Sequence, residues 1–152
     1  MLSLEKFTNL ISNAPLVAID LIIKNTTGVL LGKRTNQPAK GSWFVPGGRV
    51  FKNETIEQAI HRIALKEVSL DKRMNDFNFI GVFEHFYDNS FVSDSIKTHY
   101  VVLAFELEIE LSLLSLPKVE HNEYHFFSLN DLRKNPLVHS NTKEYFNNKG
   151  IA

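Results

Sequence analysis

Glu67 is the first residue whose type and spacing suggest chemistry. From Thr55 to Val68 the chain reads as a helix, because Ile56, Ala59, Ile60 and Ile63 recur at helical spacing. Thr55, with Gln58 three residues later, fits a reciprocal N-terminal capping box. On a wheel advancing about 100° per residue from Ile56, Ile60 falls near 40°, Ile63 near 340° and Glu67 near 20°. The carboxylate therefore lies in the middle of the apolar stripe. Burying it ionised and unpaired would cost several kcal/mol. Glu67 needs a cation or an arginine, unless the helix ends early and leaves it in water. Asp20 poses a similar question inside the apolar run Leu16–Ile23. It is a ligand-facing carboxylate, a hydrogen-bonded structural aspartate or an edge position. His121 follows Pro117 in a polar loop, where a histidine is ordinarily solvated. Residues 1–50 hold six basic side chains (Lys6, Lys24, Lys33, Arg34, Lys40, Arg49) against two acids, Glu5 and Asp20. A basic third suits an anionic small ligand such as a phosphate compound, with chance scatter as the alternative.

Several elements must position these groups. Pro15 separates a short amphipathic opening from the β-rich run Leu16–Ile23. Asn25-Thr-Thr-Gly28 is a turn signal, and Val29–Gly32 reads as the return strand of a hairpin. Gln37–Ser42 reads as loop, and Trp43–Val45 as a short strand ending at Pro46-Gly47-Gly48. After the helix, Phe77–Tyr87 is apolar and aromatic and reads as strand. In Tyr100–Leu111, Phe105, Leu107, Ile109 and Leu111 alternate with Glu106, Glu108 and Glu110, a strand with one solvated face. Tyr124–Phe127 is a further strand. Ser128 and Asn141 look like caps for two closing helices, and Gly150 suits a helix end. Strands and helices mix without regular alternation, which predicts an α+β fold.

At 152 residues the chain is long enough for one domain with a real core. Its 43% apolar and 22% charged residues are ordinary globular composition. The absence of cysteine excludes a disulfide scaffold, a zinc ribbon and a thiol nucleophile. A net charge of zero argues against nucleic acid as a partner. No apolar run approaches the roughly 18 residues of a membrane span. Residues 1–9 lack the pattern of a secretory leader, so a cytoplasmic location is expected.

The segment around the helix resembles a known motif. Gly48-x5-Glu54-x7-Arg62, with Glu67 and Leu70 beyond it, resembles the Nudix box, G-x5-E-x7-R-E-U-x-E-E-x-G-U, where U is bulky and apolar. Ile63 and Lys66 stand where two of the three closing glutamates would be, Ala64 occupies the first U, and Ser69 replaces the glycine. A reduced box of this kind resembles that of the GDP-mannose mannosyl hydrolases within the Nudix superfamily. Pro15–Asp20, Leu31–Asn36, Trp43–Val50, His85–Asp88, Thr98–Leu103 and Glu120-His121 are also similar to that group.

The resemblance implies a Nudix-like α/β/α sandwich over residues 1–152, with a mixed sheet flanked by helices. It implies Mg²⁺-dependent hydrolysis of GDP-mannose, and of GDP-glucose, to GDP and free hexose by a homodimer. It implies metal ligands at the Gly47 carbonyl, Glu67 and Glu120, and a general base at His121. Substrate contacts are implied at Asp20, Arg34, Arg49, His85 and Tyr100, with a guanine site near Leu2 and Phe7. The residue chemistry is compatible with this. Carbonyl and carboxylate oxygens are hard ligands suited to Mg²⁺, and Arg34 and Arg49 can each fork onto phosphate oxygens. Glu120 departs from the glutamine of the group and adds a negative charge. The alternatives are a Nudix enzyme that cleaves the diphosphate at phosphorus and a nucleotide-sugar-binding module without turnover.

Overall fold

The computed structural model describes residues 2–110, 112, 116–117 and 121–147, except the side chains of His121 and Asn122. Glu120 and Gly150 lie outside the described residues. Helix α1 (Leu4–Asn13) starts at Ser3, whose hydroxyl caps the Lys6 amide. Strands β1 (Leu16–Lys24) and β2 (Val29–Arg34) form the expected hairpin, joined by the register pair Lys24↔Val29. The Asn25 carboxamide oxygen accepts from the Thr27 and Gly28 amides and shapes the turn. β3 (Trp43–Phe44) and β4 (Gly47–Arg49) follow, then α2 (Ile56–Val68) and a 3-10 turn at Met74–Asp76. β5 (Asn78–Tyr87), β6 (Thr98–Glu108), β7 (His121–Phe127), α3 (Leu129–Lys134) and α4 (Ser140–Glu144) complete the order.

The strands of the described residues form one mixed sheet in the order β3-β2-β1-β6-β5, with β4 added against β1 and β7 against β2. β1 and β6 run parallel from Leu16↔Tyr100 to Lys24↔Glu108, and the other pairs are antiparallel. Side-chain alternation along β1 divides the core. Ile19, Leu21 and Ile23 pack with Ala59, Ile60, Ile63, Ala64 and Val68 of α2. Ala18 and Ile22 pack on the other face with Trp43, Phe83, Val102, Leu132, Val138 and Tyr145. The sheet thus lies between α2 and the C-terminal helices, which is the α+β sandwich expected. Ile60 and Ile63 are fully buried, each worth about 1.5–3 kcal/mol relative to exposure.

Four readings are corrected. Gly47-Gly48 does not merely end the preceding strand but starts β4, because its backbone pairs with Asp20 and Ile19 of β1. His121 belongs to β7 rather than to a loop, since that strand pairs with β2 as far as Arg34↔His121. The cap of α4 is His139, whose Nδ1 accepts from the Asn141 amide, and Asn141 is buried within the helix. β6 ends at Glu108, before Leu111. In its glutamate row, Glu108 and Glu110 are exposed as expected, whereas Glu106 is half-buried and ion-paired with Lys24 at 3.1 Å.

Candidate active site

β1 and β2 diverge beyond their single register pair, and β4 enters the gap against Ala18, Ile19 and Asp20. Beside this junction lies a cleft of about 290 Å³. Seven residues singled out from the sequence line it: Asp20, Arg34, Gly47, Arg49, Glu67, His85 and Tyr100. Two glycines permit the close packing. A Cβ on Gly47 would collide with Asp20 Oδ1 and the Ile19 carbonyl oxygen, and one on Gly48 would press on Ile63 at 3.1 Å.

Glu67 reaches the cleft from α2 and is 5% exposed, so the helix does not end early and leave it in water. Ser69 makes this possible. It takes the left-handed conformation at φ 56° and closes the helix, its amide donating to Leu65 O while the Leu70 amide donates to Ala64 O. The Tyr124 hydroxyl donates to the Glu67 carbonyl oxygen at 3.3 Å.

Glu54 and Arg62, the other charged members of the box, clasp one another. Arg62 Nε donates to Glu54 Oε2 at 2.7 Å and Nη2 donates to Oε1 at 2.9 Å. Arg62 Nη2 also donates to the Arg49 carbonyl oxygen at 2.8 Å, while Glu54 Oε1 accepts the Phe51 amide at 3.0 Å. These bonds hold the Glu54 carboxyl below its ordinary range, with the Arg62 hydrogen bond the largest cause. The clasp fixes the loop that presents Arg49. The Arg49 guanidinium is 5.2 Å from the Phe7 ring and 5.1 Å from the Phe51 ring.

The opposite wall carries a hydrogen-bonded cluster. The Tyr145 hydroxyl donates to Asp20 Oδ2 and lies 3.4 Å from His85 Nε2. Burial raises Asp20 to about 6, outweighing the lowering by Tyr145 and Arg34. Burial, reinforced by nearby His139, lowers His85 to about 4 and holds its ring neutral. His139 is itself pushed down by burial and by Arg34. Burial pushes the hydroxyls of Tyr87 and Tyr145 well above the usual tyrosine range.

The remaining candidates are placed less centrally. Leu2 is exposed and lines an apolar groove next to the cleft, a groove shared by Arg49 and Phe51. Phe7 is half-buried and meets the cleft through Arg49. The His121 backbone pairs with Arg34 in the β2–β7 register, past an irregularity between Gly32 and Arg34. Sequence reasoning missed Tyr145, Tyr87 and His139. Tyr145 carries no local signal, because its partner Asp20 lies 125 residues away.

No group of three His, Asp or Glu side chains able to hold a metal occurs among the described residues. Gly47 and Glu67 both line the cleft, and the donors these residue types can offer are hard oxygens, a carbonyl and a carboxylate. That set fits Mg²⁺, which keeps several water or phosphate oxygens among its ligands.

The family profile of the NUDIX domain matches residues 14–148. This chain belongs to the Nudix family. Its coarse activity is that of a Nudix hydrolase. It is 42% identical over 123 residues to the low-salt glycan biosynthesis protein Agl8 of Haloferax volcanii, covering 81% of this chain and 77% of that protein. It is 32% identical over 125 residues to the ADP-ribose pyrophosphatase of Methanocaldococcus jannaschii, covering 82% of this chain and 69% of that one. Among solved structures it is similar to the MutT NUDIX hydrolase of Burkholderia pseudomallei, with a TM-score of 0.68, 24% identity and coverage of 90% and 99%. The NUDIX domain of Shewanella oneidensis NrtR complexed with ADP ribose has a TM-score of 0.62 at 18% identity and covers 97% of both chains. These two structures support the Nudix fold.

Proposed function

We propose that this Nudix domain hydrolyses GDP-mannose, and GDP-glucose, to GDP and free hexose by attack of water at sugar C1. The observation that carries the reading is the state of the box in the cleft. Of its three closing carboxylate positions only Glu67 is acidic. Ile63 is buried in the core instead, and Lys66 adds a basic side chain to the cleft lining. A box so reduced in acidic ligands suits departure of an intact diphosphate better than attack at phosphorus. The name of the Agl8 relative, a glycan biosynthesis protein, is consistent with a nucleotide-sugar substrate.

In this reading Arg34 and Arg49 bind the diphosphate oxygens. Asp20, His85 and Tyr100 contact the hexose, and Leu2 and Phe7 border the guanine. Gly47, Glu67 and Glu120 hold Mg²⁺, which when bound neutralises charge on the departing diphosphate. His121 takes a proton from the water. The water oxygen bonds to C1 as the bond from C1 to the β-phosphate oxygen breaks, with its electron pair leaving on GDP. Attack from the opposite face inverts the anomeric centre. The whole chain works as one such domain, in a cytoplasmic homodimer. No helix among the described residues is long and apolar enough to cross a membrane.

The test is to follow GDP-mannose with Mg²⁺ by proton NMR. The first free hexose should be the β-anomer. His121→Gln should lower kcat by about 10²–10⁴ and leave KM nearly unchanged. Mannose 1-phosphate and GMP as first products would support the second reading, cleavage at phosphorus. That reading is favoured by the ADP-ribose pyrophosphatase relative.

A further inference from the structure

Asp20 and His85 come from different strands, yet both abut one hydroxyl, that of Tyr145. Tyr145 does not line the cleft. It is 5% exposed at the end of α4, and its ring stands edge-on to Phe83 at 4.6 Å. That packing aims the hydroxyl at the rear of the cleft wall. Asp20 is thereby constrained at both oxygens. Oδ2 accepts the hydrogen bond from Tyr145, and Oδ1 packs beside Gly47, where a Cβ on that residue would displace it.

The tyrosine has one proton to give. Donated to Asp20, it leaves the tyrosine oxygen as an acceptor towards His85 Nε2. A neutral His85 ring then carries its hydrogen on Nε2, and Nδ1 becomes an acceptor. We propose that Tyr145 is a positioning residue that fixes the Asp20 carboxylate and the His85 tautomer together, so that the hexose meets a paired set of acceptors, Asp20 Oδ1 and His85 Nδ1. Two acceptors select hydroxyl donors of a sugar. A phosphate, which is itself an acceptor, is turned away from this wall towards Arg34 and Arg49. The inference deepens the GDP-hexose reading and rests on it for the identity of the ligand.

Tyr145→Phe keeps the ring and its packing against Phe83 and removes only the donor. It should lower kcat for GDP-mannose by roughly 10- to 100-fold, the scale of a small misplacement of a positioned group. KM and the affinity for GDP should change little, while the melting temperature should fall by several degrees because the buried Asp20 carboxylate loses its donor. In an Asp20→Asn background the same substitution should cost clearly less than in the wild type, because part of its effect runs through Asp20. A readout independent of turnover is the ¹⁵N spectrum of His85 in protein without substrate. The wild type should show a protonated Nε2 and a bare Nδ1, and Tyr145→Phe should shift that balance. Wild-type kcat in Tyr145→Phe, or fully additive losses in the double variant, would overturn the proposal. So would an unchanged His85 tautomer, whichever bond the enzyme breaks. Oxygen from ¹⁸O-labelled water found in a phosphate product would defeat the GDP-hexose reading alone and leave the histidine spectrum to decide the role of Tyr145.

Discussion

Glu67→Gln keeps the shape of a buried side chain and removes its charge. If Glu67 holds the metal, this variant should lose nearly all Mg²⁺-dependent turnover while its thermal melt stays close to that of the wild type. Near-normal activity at low Mg²⁺ would remove Glu67 from the metal. His85 makes a prediction about stability. Its ordinary value of 6.5 falls to about 4 in the fold. Between those values the unfolded chain binds the proton that the folded chain refuses. Stability from this group is therefore fully present above pH 6.5 and is lost as the pH falls through about 4. The loss should be on the order of 3 kcal/mol. Asp20, raised to about 6, gives the opposite slope, losing stability as the pH rises from 3.8 to 6. The comparison is accordingly between variants. His85→Gln should flatten the acid limb of melting temperature against pH relative to the wild type, and parallel curves would show that His85 does not titrate this way.

Ser69 closes α2, and Arg62, from the middle of that helix, ties it to the loop before it. Ser69 holds a left-handed conformation that a glycine adopts without strain. Ser69→Gly should stabilise the protein by about 1 kcal/mol, or roughly 3 °C in melting temperature. A lower melt would mean that the serine side chain contributes more than its backbone costs. Arg62→Ala should break the clasp on Glu54 and on the Arg49 carbonyl, at a cost of about 2–3 kcal/mol. Because the loop bearing Arg49 loosens, KM for the nucleotide sugar should rise more than kcat falls. An unchanged KM with a lowered melt would make the clasp purely structural. Helix α2 was legible because periodicity and capping are local, and Thr55, Gln58 and the wheel position of Glu67 all stand as expected. Strand pairing is not local. The glycines of β4 signal a turn by type, and only pairing with β1 makes them a strand. Likewise the polar residues opening β7 read as loop until β2 supplies their partner.

Across the whole molecule, the excess of basic residues in the first third is spent in two ways. Arg34 and Arg49 face the cleft, whereas Lys24 pairs with Glu106, and Lys33 lies 4.0 Å from Glu123. Composition pointed to an anionic ligand, and only the fold separates the cations that line the cleft from those that tie strands together. The same separation explains why the Asp20–Tyr145–His85 cluster escaped notice. It joins β1, β5 and the end of α4, and no stretch of sequence contains two of its members. The central claim concerns which bond this assembly breaks, and an isotope decides it. Hydrolysis of GDP-mannose in ¹⁸O-water, followed by mass spectrometry of both products, should place the label in the hexose and none in GDP. Label in a phosphate would contradict substitution at carbon and show that the enzyme attacks phosphorus.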